Sequence, residues 1–203
     1  GGSVDFSGNR SSGLGGAIFS SKSMSLIDAS IIFSNNNTDN EALGGAIYSK
    51  SLTINGLATN LKFYDNSAVA GGAIASFFLT IQNTSGGSVD FSGNYANQGG
   101  AIRVSDISLI DASIIFQGNT SKPGGGAIYS NSNLTISGPG TNLKFYDNSA
   151  LGNGGAISSN SLTIQNTSGG SLDFCGNRCG AGGGSIYATS DISLIDASII
   201  FQG

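Results

Sequence analysis

Tryptophan and histidine are absent from this 203-residue chain, methionine occurs once, proline and cysteine twice each. Two cysteines without histidine supply too few ligands for a zinc centre, so no metal and no cofactor is expected. Charge is scarce too: Lys plus Arg number 8, Asp plus Glu 12, and the net charge is −4. Phosphate binding needs clustered Lys and Arg, and scattered basic residues at this density exclude nucleic acid as the expected partner. No apolar run approaches the length of a membrane-spanning helix, so direct membrane insertion by this segment is not expected.

What the chain has in excess is glycine, 33 residues. A strict Gly-X-Y period is missing and apolar residues recur regularly, which points away from collagen or disorder and toward a folded repeat. Two short words alternate along the whole length. Gly-Gly-Ala-Ile or Gly-Gly-Ser-Ile ends at Ile18, Ile47, Ile74, Ile102, Ile128, Ile157 and Ile186. Phe-x-x-Asn begins at Phe6, Phe33, Phe63, Phe91, Phe116, Phe145 and Phe174, with its asparagine at Asn9, Asn36, Asn66, Asn94, Asn119, Asn148 and Asn177, and Phe201 opens an eighth copy. A fixed spacing of roughly 25 to 30 residues is the mark of a solenoid, propeller or array.

A longer period lies above this one. Gly1 to Asn9 returns at Gly86 to Asn94 and Gly169 to Asn177; Ser25 to Phe33 returns at Ser108 to Phe116 and Ser193 to Phe201. The chain is therefore one solenoid segment, 1–203, built of a three-coil cassette used at 1–85, again at 86–168, and begun at 169–203.

Each coil reads as three short strands: one after the double glycine (Ala46 to Ser49), one at Leu52 to Ile54, one at Leu61 to Phe63. Gly, Asn, Ser and Asp fill the corners, and no stretch has helical periodicity. The expected fold is all-β: a three-faced parallel β-helix of seven to eight coils, about 28 residues each. A left-handed hexapeptide helix would need about 18 residues per coil, so the right-handed form is expected. Stacking equivalent residues gives an inward column, Val4, Ile31, Leu61, Val89, Ile114, Leu143, Leu172 and Ile199, with the Phe column two residues on. Spacing of two puts both on one side of a strand. The repeated asparagines can form a side-chain ladder from coil to coil.

The outward columns bear on function. On the third strand, Asp5, Ile32, Lys62, Asp90, Ile115, Lys144, Asp173 and Ile200 form a strict Asp–Ile–Lys cycle. Lys62 is expected beside Asp90, and Lys144 beside Asp173, as exposed ion pairs. Ile32, Ile115 and Ile200 are candidate lateral contacts, against plain tolerated exposure. The first strand presents Phe19, Tyr48, Ala75, Arg103, Tyr129, Ser158 and Tyr187. Aromatics and Arg favour interfaces, making Phe19, Tyr48, Arg103, Tyr129 and Tyr187 the candidate partner face, against simple β-propensity. The second strand presents a hydroxyl column from Ser25 to Ser193, but its variable flanks speak against an ice-binding surface. Cys175 and Cys179 replace serines of the first coil; a local disulfide and two reduced thiols both remain open.

The pairing of GGA(I/L/V) with FxxN over essentially the whole chain resembles the polymorphic membrane proteins of chlamydiae. That resemblance implies a β-helical autotransporter passenger, carried with a signal peptide and a C-terminal membrane barrel, acting as an adhesin on the bacterial surface. The implied partner is a host-cell or neighbouring-cell surface molecule, or the chain itself, end to end or laterally. The implied location is extracellular: a passenger anchored at the outer membrane, or a secreted fibre. A polysaccharide-binding or polysaccharide-degrading β-helix is a lesser alternative. It would need a unique cluster of titratable groups, whereas the acidic residues here repeat with the cassette, apart from Asp39 and Glu41. The chain is expected not to be an enzyme.

Overall fold

The computed structural model describes residues 2–39 and 42–203; Gly1, which opens the first cassette, and Glu41 lie outside them. The described residues form 22 strands and no helix, all paired in parallel between successive coils. The coils stack as a β-solenoid with three walls.

The first wall is a sheet of long strands, Ile18–Ile27, Ile47–Asn55, Ile74–Gln82, Ile102–Ile110, Ile128–Ser137 and Ile157–Gln165, closed by Ile186–Ala188 and Ile192–Ile195. The two strands expected after each double glycine are thus one strand. Its burial changes phase in the middle: Ile47 and Ser49 point in, then Leu52 and Ile54. An inward pair three residues apart instead of two means the strand bends there, and the register slips at the same place between several coils. This long sheet therefore has two arms meeting at a bend.

The second wall carries the Phe column. It has eight strands, from Val4–Ser7 through Asn60–Tyr64 and Ser113–Gln117 to Ile199–Gln202. Leu61, Val89, Ile114, Leu143 and Leu172 are buried, as are Phe33, Phe63, Phe91, Phe116, Phe145 and Phe174. The phenyl rings stack face to face at 4.7–5.2 Å between centroids. Burial of each ring contributes about 1.5–3 kcal/mol. The third wall follows the asparagines and has no counterpart in the sequence reading: Arg10–Ser11, Asn37–Thr38, a bridge at Ser67, then Tyr95–Gln98, Thr120–Gly124, Ser149–Ala150 and Arg178–Cys179. These strands are short and rich in Ser, Thr and Asn, so period-two hydrophobicity cannot reveal them.

Corners explain the motif letters. The third letter of Phe-x-x-Asn is Gly8, Asn35, Asp65, Gly93, Gly118, Asp147 or Gly176, and each has positive φ, between 52 and 68°. Only Gly, Asn and Asp enter that left-handed region at low cost. The first glycine of Gly-Gly-Ala-Ile is likewise left-handed, for example Gly71 at φ 63°. The second glycine has a different cause: a Cβ on Gly72 would collide with the carbonyl oxygen of Gly100 in the next coil.

Directly after the left-handed corner comes the asparagine ladder. Asn36 Nδ2 donates to Asn66 Oδ1 at 3.0 Å and to the Phe6 carbonyl at 2.7 Å. The same pattern continues through Asn66, Asn94, Asn119 and Asn148 to Asn177. Each buried amide thus closes the turn and ties neighbouring coils. Ile47, Ile74, Ile102, Ile128 and Ile157 are fully buried under the Gly-Gly corner, while Ile18 and Ile186, in the end coils, are half-buried.

Candidate functional site

The outward column of the first arm is continuous in register: Phe19 with Tyr48, Tyr48 with Ala75, Ala75 with Arg103, Arg103 with Tyr129, Tyr129 with Ser158, Ser158 with Tyr187. Phe19 and Tyr48 stack at 5.7 Å, with Phe19 54% exposed. The column is not uniformly open. Ala75 and Ser158 are buried, because each is a small residue between larger neighbours. The strand Thr120–Gly124 also runs close over Ser158, so that a Cβ on Gly124 would touch its hydroxyl. Arg103 is half-buried at the floor of a groove of about 320 Å³, walled by Leu43, Val69, Ala70, Asn97, Gln98 and Pro123. The aromatic face thus falls into an open part at Phe19 and Tyr48, and a part at Arg103 overhung by the third wall.

At the bend of the third coil, outside the outward columns, stand Phe77 and Phe78, 48% and 52% exposed. Phe78 lies in register with Ser51 on one side and Asp106 on the other. A signal for them exists in the sequence. Gly71 to Gly87 and Gly154 to Gly170 are nearly identical, and they differ at Ala75/Ser158, Phe77/Asn160 and Phe78/Ser161. Two phenylalanines displayed to water, where the sister cassette has Asn and Ser, mark a place the fold does not require. Together with Phe19 and Tyr48 they make one wall of the first three coils aromatic.

On the third wall lies a cleft of about 470 Å³ lined by Arg10, Asn37, Asp39, Ser67, Tyr95 and Lys122, among others. It shares Val69 and Asn97 with the Arg103 groove, so the two hollows adjoin. Arg10 and Asp39 pair at 2.7 Å, but Arg10 is 74% exposed, which makes the pair weak.

The Phe wall presents the Asp–Ile–Lys cycle in unbroken register from Asp5 to Ile200. The expected Lys62–Asp90 and Lys144–Asp173 ion pairs are not made; among the described residues the only ion pair is Arg10–Asp39. Asp90 is held instead by the Tyr64 hydroxyl at 3.2 Å and by the Ser92 hydroxyl. Lys62 leans over the Tyr64 ring, 5.9 Å from its centroid. Ile32 and Ile115 are half-buried and Ile200 is 46% exposed. The hydroxyl column from Ser25 to Ser193 is also continuous.

The cysteines are free thiols, and a disulfide between them is not present. Cys175 takes its place beside Tyr146 on the outer side of the Phe wall, while Cys179 is in register with Ala150 and points inward. The Asn177 corner separates the two. Cys175 replaces the serine that bonds Asp5 and Asp90 in the equivalent coils, and one carboxylate oxygen of Asp173 is left buried without a partner.

Five of the acidic residues have a structural task at the corners. Asp28, Asp65, Asp111, Asp147 and Asp196 occupy left-handed corners. Asp28 and Asp111 accept the backbone amides of Ala58 and Gly140 from the next coil. No group of three or more potential metal ligands occurs among the described residues.

Fold and surface define a repeat protein of the β-solenoid class, whose distinctive chemistry lies in columns displayed along its walls. The repeat described as Chlamydia polymorphic membrane protein repeat matches residues 3–21, 30–50, 88–105, 113–131, 142–160 and 171–189. These matches together span more than half the chain, and the chain belongs to that family. It is 36% identical to the probable outer membrane protein PmpD of Chlamydia trachomatis serovar D, over 57% of this chain and 9% of the relative. The chain thus corresponds to a small fraction of that relative's length. No solved structure matches.

Proposed function

We propose that this solenoid is part of a passenger displayed outside the cell at the outer membrane, and that it acts as an adhesive rod with a host-cell or neighbouring-cell surface molecule as its partner. The observation that carries the reading is the aromatic surface of the first three coils: Phe19, Phe77 and Phe78 face solvent, and half-buried Tyr48 stacks on Phe19, on a wall whose fold needs none of them there. Exposed aromatics on a rigid backbone give contact area at low conformational cost, and few anchors carry most of the energy of such interfaces. Family membership and the outer-membrane relative support display at the cell surface.

The test is binding of the labelled 203-residue chain to host epithelial cells, read by flow cytometry. Phe77→Asn/Phe78→Ser installs what the second cassette carries at those positions, so folding should be untouched. Combined with Tyr48→Ala it is expected to weaken binding at least tenfold. Wild type and variant binding equally would refute the assignment of this surface.

A further inference from the structure

The Asp–Ile–Lys column on the Phe wall is complementary to itself under one symmetry, and we propose that this wall is a docking face for a second copy of the chain, turned antiparallel. Number the column by coil: Asp5, Ile32, Lys62, Asp90, Ile115, Lys144, Asp173, Ile200. The strands hold these residues in unbroken register. Lay a second rod against the first, reversed, with the two-fold axis along the strand direction at Ile115. Ile115 then faces its own copy. Asp90 faces the copy's Lys144, Lys62 faces its Asp173, and Ile32 faces its Ile200. Each of the seven positions from Ile32 to Ile200 finds apolar against apolar or opposite charge against opposite charge, and Asp5 lies beyond the overlap.

No parallel arrangement does this. Unshifted, it sets Lys against Lys and Asp against Asp. Shifted by one or two coils, only one position in three gains an opposite charge, and the isoleucines face ions.

The flanking columns obey the same symmetry. Two residues toward the strand end, the wall presents Ser34, Tyr64, Ser92, Gln117, Tyr146, Cys175 and Gln202. Reversal about Gln117 sets Tyr64 against Cys175 and Tyr146 against Ser92, large against small, and Gln117 against itself. Two residues the other way, Asn60 meets Ser171, and Asn142 meets Ser88.

The face is free to accept a partner. Lys62 and Lys144 are exposed and make no ion pair among the described residues. Six coil steps of about 4.8 Å and five residues of about 3.3 Å give a shared strip of about 29 by 17 Å, roughly 500 Å² per partner. That is the size of a weak, reversible contact. The aromatic surface lies on a different wall, so paired rods keep it displayed, and the pairing stands or falls independently of the adhesive reading.

Sedimentation velocity of the 203-residue chain over a concentration series tests the idea. Wild type is expected to shift from monomer toward dimer. Lys62→Asp/Lys144→Asp makes the column all acidic and is expected to stay monomeric. Asp5→Lys/Asp90→Lys/Asp173→Lys makes it all basic and should behave likewise alone. Mixed in equal amounts, the two variants should pair. Circular dichroism checks that each remains folded.

Geometry is tested separately by single cysteines in a Cys175→Ser/Cys179→Ser background. Ile115→Cys, on the two-fold axis, should oxidise to a disulfide-linked dimer, and Ile32→Cys, whose counterpart is Ile200, should not. A wild type monomeric throughout, variants that associate as it does, or efficient cross-linking through Ile32→Cys would each overturn the proposal.

Discussion

Asn66 and Asn94 are joined twice: Asn94 Oδ1 accepts from the backbone N–H of Asn66 and from its Nδ2, both at 3.0 Å. Asn94 in turn donates to Asn119 and to the Phe63 carbonyl. All of these groups are buried. Asn94→Ala strands donors on one side and acceptors on the other. At about 1–3 kcal/mol for each buried group left unpaired, a loss of about 3–5 kcal/mol is expected. Asn94→Asp should be damaging as well, because it replaces the donating Nδ2 with a carboxylate oxygen that faces two acceptors, Asn119 Oδ1 and the Phe63 carbonyl. Urea unfolding followed by circular dichroism measures both.

The two glycine types should respond differently to the same change. Gly118 has φ 61° and open space where a side chain would stand. Gly118→Asn should therefore be nearly neutral, since Asn35 occupies the equivalent corner in another coil, and Gly118→Ala should cost about 1–2 kcal/mol. Gly72 has no left-handed φ, yet its missing Cβ is where the Gly100 carbonyl passes. Gly72→Ala must push two coils apart and is expected to cost about 3 kcal/mol. Comparing melting temperatures of the three variants separates backbone conformation from coil-to-coil contact.

Tyr64 should titrate late. Its partial burial, the nearby Asp90 carboxylate and the hydrogen bond it donates to Asp90 all raise its phenol above the usual 10.0. The folded chain then keeps this proton where the unfolded chain releases it. The contribution to stability is full below pH 10 and is lost as pH rises through the folded value. In Asp90→Asn the raised pKa should fall back toward its ordinary value and the alkaline loss of stability should shrink. Tyrosinate absorbance, with Tyr64→Phe subtracted to assign the signal, reads the first effect; unfolding at alkaline pH reads the second.

Cys175→Ser should stabilise the chain. It restores the hydroxyl that Ser92 offers Asp90 in the preceding cassette and gives Asp173 a donor. A gain of about 0.5–1.5 kcal/mol is expected from the new hydrogen bond. Thiol titration of the native chain, without reductant, should count two reactive groups in denaturant, in keeping with the two free thiols.

The repeat words carry the architecture because each letter answers one steric or hydrogen-bonding demand. Phe116 must fill the core, Gly118 must turn left-handed, and Asn119 must bridge to the coils on either side. Such demands recur with every coil, so a period in the sequence reads directly as a column in space. Functional positions were less legible. Phe77 and Phe78 obey no column rule and emerge only where one cassette departs from the other. The Lys62–Asp90 pair, expected from proximity, is not made; the Tyr64 and Ser92 hydroxyls hold that carboxylate instead.

From sequence alone came the solenoid, its period, the Phe and Asn ladders, and the cyclic order Asp–Ile–Lys along one wall. All of these follow from residue identity at fixed spacing. Only the tertiary structure decided that two expected strands are one bent strand, that a polar third wall exists, and that Cys175 and Cys179 point to opposite sides of the chain. The reason is that these depend on where the backbone bends and pairs. The short third-wall strands and the mid-strand bend are held by hydrogen bonds between coils, which leave no hydrophobic period behind.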